Sequence, residues 1–270
     1  MPELPEVEAI RRMLVSNVAG KDIVDTSLFL SRAVKQGELT SLVGLTIQGV
    51  DRRGKYLLFR CSEGVVVYVH LRMTGVFFWK PLDEPINSHI RFAWHFSDGK
   101  LLFQDVRTLG GMWISDAEHP PWKKMGWEPF DENLTAEMIY GAFQKRKITV
   151  KQGLLDQTII AGIGNIYASE VLYKTGINPF VLTNALSYEQ VKILLKSIRE
   201  ILSAAIAASG TTFKDFRLSD GSKGEFAAFL KVYNKQGEPC SWCGTKIERV
   251  VIAARSTYYC PACQPMPAED

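Results

Sequence analysis

Residues 240–263, CSWCGTKIERVVIAARSTYYCPAC, contain two Cys-x2-Cys pairs separated by 16 residues. This spacing is typical of a zinc ion held by four thiolates, in which each pair supplies two ligands and the intervening segment returns as a β-hairpin. We predict that hairpin over Glu248–Tyr259, with its turn near Ala253–Ser256. Because four thiolates leave no coordination position for water, the spacing predicts one structural Zn²⁺ bound by Cys240, Cys243, Cys260 and Cys263.

The composition is that of a globular protein. A length of 270 residues suggests one large domain or two, and 46% hydrophobic with 23% charged residues excludes collagen-like, coiled-coil and small disulfide-stapled proteins. No stretch reaches the roughly 18 apolar residues of a membrane span, and the start MPELPEVEAIRR lacks the apolar core of a signal peptide. We therefore expect a cytoplasmic protein without a membrane partner, in which clustered cysteines bind metal rather than form disulfides.

The net charge gives no reason to expect a nucleic-acid partner. Lys and Arg number 32 and Asp and Glu 29, a balance of +3. The residues before Asn133 carry a net charge of −1 and the remainder +4. Any basic surface should therefore be local and lie mainly in the second half of the chain.

The chain changes character near residue 120. Before it, short β-branched or aromatic runs between turn signals predict a β-sandwich or barrel after an N-terminal helix. Residues 120–133 are irregular and predict a linker, after which apolar residues recur at helical spacing. We expect domains over 1–119, 134–233 and 234–266. The predicted strands are Ile23–Leu28, Thr46–Val50, Tyr56–Arg60, Val65–Leu71, Ile90–Phe96 and Lys100–Phe103, and the predicted helices are Leu134–Phe143, Thr149–Leu155, Ile166–Lys174 and Ser187–Ala208.

The N-terminus offers a candidate nucleophile. A small residue follows Met1, so we expect removal of Met1 to expose the secondary amine of Pro2. An α-amino group has an unperturbed pKa of about 7.7–8.0, so part of it is unprotonated near neutral pH and can attack an electrophilic carbon, with Glu3 supplying acid–base catalysis. The same residues also fit a plain helix start, with Pro5 at the first position. On these residues alone both interpretations stand.

Gly162–Asn165, the sequence GIGN, is a candidate phosphate site. Glycines allow backbone N–H groups to approach an anion, and the helix predicted to follow adds the positive end of its dipole. Lys151 adds positive charge upstream. A plain turn between helices explains the same glycines. Arg255 at the hairpin tip and the strand-end runs Arg52–Lys55 and His70–Gly75 are equally ambiguous, because exposed cations are usually solvated surface charges.

Taken together, these segments resemble the formamidopyrimidine-DNA glycosylase family of bacterial base-excision repair enzymes. The resemblance runs through MPELPEVE, RRGKYL, HLRMTG, DVRTLG, LLDQTIIAGIGNIYASE and RSTYYCPACQ. It implies an α+β multidomain clamp: an N-terminal β-sandwich flanked by helices, then a helix-two-turn-helix domain with a four-cysteine zinc ribbon. It also implies a monomer, in the bacterial cytoplasm and associated with the nucleoid, that acts on damaged double-stranded DNA.

The resemblance assigns roles to individual residues. Pro2 attacks C1′ of a flipped nucleotide, Glu3 manages the proton on the sugar, and an imine forms that permits β- and δ-elimination. The excised bases are oxidised purines, chiefly 8-oxoguanine and formamidopyrimidines. Glu6 lines the same pocket. Phosphates are held by Lys55, which we count with the catalytic residues, and by His70, Asn165 and Arg255; Lys151 lies near the damaged base, and Met73, Arg107 and Leu109 fill the gap left by flipping.

Three departures from the family pattern matter. Leu109 stands where the family usually carries Phe, and Thr108 where it carries a basic residue, which predicts altered lesion search or opposite-base choice. Ala254 replaces the usual Gly of the ribbon turn, so that turn either avoids a positive φ or is strained. No contacts are assigned to the variable loop over residues 216–229.

Two alternatives stay open at this point. The first is an endonuclease VIII-like glycosylase of oxidised pyrimidines, although that branch commonly has Gly in place of Leu4. The second is a non-catalytic lesion-binding protein, which would not need Pro2 and Glu3.

Overall fold

The computed structural model describes residues 1–211 and 225–267. The chain divides into two compact units. Unit 1 is Met1–Lys123 together with the described residues of Ala208–Ala227, and unit 2 is Lys124–Ala207 with Ala228–Asp270 as far as it is described. The domain expected over 134–233 is thus interrupted, because the described residues of Ala208–Ala227 pack with the N-terminal part of the chain.

Unit 1 begins with helix α1, Leu4–Val18, which starts one residue before the predicted Pro5. Its apolar residues recur every three or four positions, so Val7, Ile10 and Leu14 lie on one buried stripe. This stripe packs against the sheet that contains Val50 and Phe59. Packing of the stripe therefore fixes the orientation of the helix and of the N-terminus that precedes it.

Two antiparallel sheets, with one parallel edge pairing, form the rest of unit 1. The strands are β1 Asp25–Leu28, β2 Val34–Gln36, β3 Ile47–Arg53, β4 Tyr56–Cys61, β5 Val66–His70, β6 Gly75–Lys80, β7 Ile90–Phe96, β8 Gly99–Asp105 and β9 Gly111–Ser115. In the first sheet the strand order is β2, β9, β5, β4, β3, and in the second it is β1, β7, β8, β6. Short 3-10 turns cover Ser31–Ala33, Leu39–Leu42 and Ser62–Gly64.

An aromatic cluster joins the two sheets. Phe59 on β4 meets Trp94 on β7 at 4.8 Å between ring centroids, and Phe77 on β6 meets Phe59 at 5.6 Å. All three are fully buried, and truncating such a side chain to alanine costs about 3–5 kcal/mol. The predicted β-sandwich is confirmed.

Three strands were missing from the sequence prediction. The β6 segment is a continuous apolar run, GVFFWK, without the period-2 alternation of a half-buried strand. Strand β2 has only three residues, and β9 begins at the second of two adjacent glycines, Gly110 and Gly111, a pair that is typical of a loop. Pairing with long-range neighbours, rather than local pattern, defines these three strands.

Unit 2 is helical up to its ribbon. The helices are α2 Ala136–Gln144, α3 Val150–Leu155, α4 Asn165–Thr175 and α5 Tyr188–Ala207. Short 3-10 turns cover Thr183–Ala185 and, where the chain passes from unit 1 to unit 2, Phe226–Phe229. A capping box begins α5: the Ser187 N–H donates to Gln190 Oε1 at 2.9 Å, and the Gln190 N–H donates to the Ser187 hydroxyl at 3.2 Å. No helix of the described residues is both long and apolar enough to cross a membrane.

The predicted hairpin is confirmed as strands β10, Glu248–Ile252, and β11, Arg255–Tyr259. Its two turn residues, Ala253 and Ala254, have φ of 48° and 58°. Both therefore lie in the left-handed region, which a two-residue hairpin turn requires and which glycine or asparagine usually provides. The turn keeps its positive φ and carries strain.

Candidate functional site

The N-terminal segment places two carboxylates beside Pro2. Pro2, Glu3 and Glu6 are all buried, with Glu3 2% and Glu6 1% exposed. Glu3 is the N-cap of α1 and forms a reciprocal capping box with Glu6, whose Oε2 accepts the Glu3 N–H at 2.7 Å. The first turn of the helix thus holds the candidate nucleophile and the two acids. A nucleophilic N-terminus and a plain helix start, the two interpretations of the sequence, are therefore compatible.

Glu6 is also fixed from its other side. Its Oε1 accepts the Thr211 N–H at 2.7 Å. Gly210 has a φ of +80°, and a Cβ there would lie 2.9 Å from Glu6 Oε1, so only glycine fits without strain. Local sequence could not reveal this long-range contact. Most of the 216–229 loop lies outside the described residues, which resume at Glu225.

Lys55 and His70 lie on neighbouring strand ends. Tyr56 of β4 is directly opposite His70 of β5, and Lys55 precedes Tyr56 in the β3–β4 turn. Both side chains are largely buried. Burial, and then the cations of Arg72 and Lys55, lower the pKa of His70 to about 3. The Arg72 N–H donates to His70 Nδ1 at 2.9 Å, so the neutral ring carries its proton on Nε2 and offers a hydrogen-bond donor.

The three predicted gap-filling residues come from two adjacent loops. Strands β6 and β8 pair with Gly75 opposite Asp105, which brings the Met73 turn beside the loop containing Arg107 and Leu109. Leu109 is 48% exposed. Thr108 has a φ of 55°, and its hydroxyl accepts a hydrogen bond from Arg32 at 2.7 Å. The guanidinium of Arg32, from the 3-10 turn Ser31–Ala33, therefore lies beside the position where the family usually has a basic side chain.

In unit 2, Gln157 holds the GIGN turn in shape. Its side-chain oxygen accepts the Gly162 N–H at 2.9 Å, and its amide nitrogen donates to the Ile163 carbonyl at 2.9 Å. Gly162 has a φ of +90°, which accounts for glycine at this position. Sequence reasoning missed Gln157, because only the folded turn brings its side chain back to a backbone five residues later.

Lys151 lies beneath this turn and is fully buried. Its ammonium donates to the Asn165 carbonyl at 3.1 Å and to the Ser169 hydroxyl at 2.7 Å. Both partners belong to the first turns of α4. Lys151 therefore supports the N-terminus of α4 in the observed arrangement.

Asn165 joins this N-terminus to the ribbon. Its Nδ2 donates to the Ser256 carbonyl at 2.7 Å, next to Arg255. Its Oδ1 is buried and finds no hydrogen-bond partner within the described ranges. The structure thus brings Asn165, Lys151 and the Arg255 end of the hairpin together, and phosphate binding by this region stays a prediction.

The four cysteines of the ribbon form one cluster. Their Sγ atoms all lie within 4.8 Å of one another, with Cys240 and Cys263 3.8 Å apart and Cys243 and Cys260 3.5 Å apart. Tetrahedral Zn–S bonds of about 2.3 Å place sulfurs about 3.8 Å apart, so the cluster fits zinc. The Tyr173 hydroxyl lies 3.1 Å from Cys240 Sγ, a contact that spacing alone could not predict.

Comparison with known proteins agrees with this geometry. Three family models match: the formamidopyrimidine-DNA glycosylase N-terminal domain over 1–112, the H2TH domain of the same enzymes over 125–217, and the zinc finger found in FPG and IleRS over 237–265. The chain is 39% identical over 273 residues to the formamidopyrimidine-DNA glycosylase of Pelotomaculum thermopropionicum, covering 98% of this chain and 99% of the relative.

Solved structures give the same result. A mutant of the Lactococcus lactis Fpg bound to Fapy-dG-containing DNA has a TM-score of 0.92 and 38% identity, covering 98% of this chain and 100% of that one. The wild-type Lactococcus lactis Fpg bound to DNA with an oxidised pyrimidine matches equally, with a TM-score of 0.92, 38% identity and the same coverage.

The fold, the order of the matched domains and the cysteine cluster together define the class of protein. It is a DNA-repair glycosylase with a helix-two-turn-helix domain and one structural zinc. The chain belongs to the formamidopyrimidine-DNA glycosylase family. It is accordingly a bifunctional enzyme, a DNA glycosylase with abasic-site lyase activity.

Proposed function

We propose that this enzyme releases oxidised purines, 8-oxoguanine and formamidopyrimidines, from duplex DNA through the amine of Pro2 once Met1 is removed. The observation that carries this is the buried first turn of α1, where Glu3 directly follows Pro2 and its N–H donates to Glu6 Oε2 at 2.7 Å. Binding of Fapy-dG-containing DNA by the Lactococcus lactis relative supports the substrate class. The site of action is the bacterial cytoplasm, on nucleoid DNA.

The chemistry needs a nucleophile and a proton carrier. The Pro2 nitrogen forms a bond to C1′ as the glycosidic bond breaks and the base leaves with its electron pair. The nitrogen releases its proton and Glu3 donates a proton to the sugar ring oxygen, so the ring opens and an iminium ion forms. A C2′ proton is then lost to water as the 3′ phosphate leaves, and a C4′ proton is lost to water as the 5′ phosphate leaves. Glu6 holds the helix start in position throughout.

DNA contacts come from residues of each unit. Lys55 and His70 in unit 1, and Asn165 and Arg255 in unit 2, bind phosphates around the lesion. His70 acts as a neutral donor, whereas Lys55 and Arg255 contribute charge. Lys151 acts near the damaged base through the α4 N-terminus that it supports. Met73, Arg107 and Leu109 occupy the gap left by the flipped nucleotide, with Arg107 facing the opposite base.

Covalent trapping tests this function. Borohydride reduces an imine, so the protein should become linked to DNA that contains 8-oxoguanine opposite cytosine. Pro2→Gly should impair trapping, whereas Pro5→Ala, a change in the same helical turn, should retain it. The loss of Met1 is first confirmed by mass spectrometry of the protein. Absence of trapping by this processed protein on oxidised-base and abasic DNA would refute the proposed chemistry.

A second candidate substrate class is the oxidised pyrimidines. Leu109 offers a smaller, 48% exposed wedge in place of an aromatic ring, and the Lactococcus lactis Fpg has been solved with DNA containing an oxidised pyrimidine. Single-turnover rates on 8-oxoguanine and on thymine glycol separate the two classes. A faster rate on thymine glycol would show that the enzyme prefers oxidised pyrimidines to the proposed oxidised purines.

A further inference from the structure

A buried carboxylate lies between the two gap-filling loops of unit 1. Asp105, 1% exposed, ends strand β8. Its Oδ1 accepts the Thr74 hydroxyl proton at 2.5 Å, and its Oδ2 accepts the Gly110 N–H at 2.7 Å. A buried carboxylate is costly unless hydrogen-bonded, so these contacts hold both loops to one group.

Thr74 closes the network. The same hydroxyl that donates to Asp105 accepts the Arg107 N–H at 3.0 Å. Thr74 follows Met73 in one loop, and Arg107 lies two residues before Leu109 in the other. Through Thr74 and Asp105, the backbones beside all three proposed gap-filling side chains are therefore tied together.

Two glycines allow the loop backbones to lie close to their neighbours. A Cβ on Gly110 would lie 3.0 Å from Asp105 Oδ2 and 3.1 Å from the His70 carbonyl. A Cβ on Gly75 would lie only 2.5 Å from the Leu71 carbonyl. The loop backbones are thus closely packed, while the side chains of Arg107 and Leu109 are exposed.

We infer that Asp105 and Thr74 are positioning residues that set opposite-base selectivity by holding Arg107 and Leu109 in register with Met73. This rests on the proposed function, in which those three side chains enter the duplex. A preorganised loop discriminates between bases because Arg107 can meet only a partner of the right geometry. A loosened loop would let Arg107 meet several opposite bases and would stabilise the flipped state less.

Hydrogen exchange in the DNA-free protein tests the link itself. Thr74→Val removes the hydroxyl with little change in shape, and Thr74→Ser retains it. The Arg107 amide should exchange at least about tenfold faster in Thr74→Val and at the wild-type rate in Thr74→Ser, with Phe103 in β8 as the internal reference. If the Arg107 amide exchanges at the same rate in Thr74→Val and in the wild type, the Thr74 hydroxyl does not hold the Arg107 backbone.

Single-turnover excision tests the role. With 8-oxoguanine opposite each of the four bases, Thr74→Val and Asp105→Asn should lose about tenfold opposite the preferred base and show a flatter preference. Elimination at a preformed abasic site should change much less, and Thr74→Ser should behave as wild type. Equal losses in both reactions, or an unchanged preference, would overturn the positioning role. If the wild-type protein releases no oxidised base, the proposed function fails. The hydrogen-exchange experiment still shows, independently of activity, whether the Thr74 hydroxyl holds the Arg107 backbone.

Discussion

At the scale of single residues, His70 shows how burial decides the chemistry of a proposed DNA contact. Its pKa is lowered to about 3, from an ordinary value near 6.5, by burial and by the nearby cations. We predict that the His70 ring shows no inflection between pH 5 and 8 in an NMR titration, with the exposed His119 followed in the same spectra. An inflection near pH 6.5 would contradict the lowered pKa of His70 and its proposed role as a neutral donor.

The same shift predicts an acid-sensitive fold. The unfolded chain binds a proton at His70 below about pH 6.5, whereas the folded chain does so only near pH 3, so stability falls as the pH drops through this window. His70→Asn should show a weaker loss of stability between pH 6.5 and 4 in thermal denaturation. An identical pH dependence in the variant and the wild type would contradict the burial account.

Gly210 and Gly20 form a matched pair for testing support of the catalytic turn. Both have a φ of +80°, but a Cβ on Gly210 would meet Glu6 while one on Gly20 meets nothing within 4 Å. Both alanine variants should lose about 1 kcal/mol or more of stability from the strained φ. Only Gly210→Ala should also slow trapping, because it displaces Glu6. Equal trapping rates for the two variants would argue against a role for this contact.

At the scale of elements, the ribbon hairpin has an unusual turn. Ala253 and Ala254 both adopt positive φ, where each non-glycine residue costs of order 1 kcal/mol. Replacing the pair by Asn-Gly should raise the thermal stability of the zinc-loaded protein by about 1–2 kcal/mol. Ala254→Val, which is β-branched, should lower it. A destabilising Asn-Gly turn would show that the alanines make contacts that outweigh their strain.

Helix α4 links the zinc site to the GIGN turn. Its first residue is Asn165, and near its end Tyr173 reaches Cys240 Sγ at 3.1 Å and stacks on Trp242 at 4.3 Å. Outer-shell partners of this kind commonly change metal affinity about 10–100-fold. Tyr173→Phe should therefore lose zinc to a chelator at least about tenfold faster than wild type, whereas Tyr258→Phe, in the same apolar cluster, should not. Equal rates of zinc release from the two variants would show that the Tyr173 hydroxyl does not stabilise the metal site.

At the scale of the whole molecule, the parts that could be predicted from sequence are those with local signals. Cysteine spacing predicted the zinc ligands and the hairpin, and periodicity predicted four helices and six strands close to their observed bounds. Gln157, Asp105 and Gly210 were not predicted, because each acts on a partner that only the fold brings near. The burial of Lys151 was likewise hidden, since a lysine beside other cations resembles a solvated surface.

The net charge of +3 has a related explanation. The cations that we propose to bind DNA are few and are placed individually, so the total charge carries little information about the partner. What identified the class of protein was the order of several short motifs along the chain, each ambiguous by itself. The N-terminal motif is the most consequential of these, because the proposed chemistry depends on one atom in it, the nitrogen of Pro2.

The most direct test of that atom is mass-spectrometric mapping of the borohydride-reduced protein–DNA adduct after proteolysis. We predict that the sugar remnant lies on the N-terminal peptide, on the nitrogen of Pro2 in a chain that has lost Met1. An adduct on Lys55 or Lys151, or a trapped chain that retains Met1, would contradict the account.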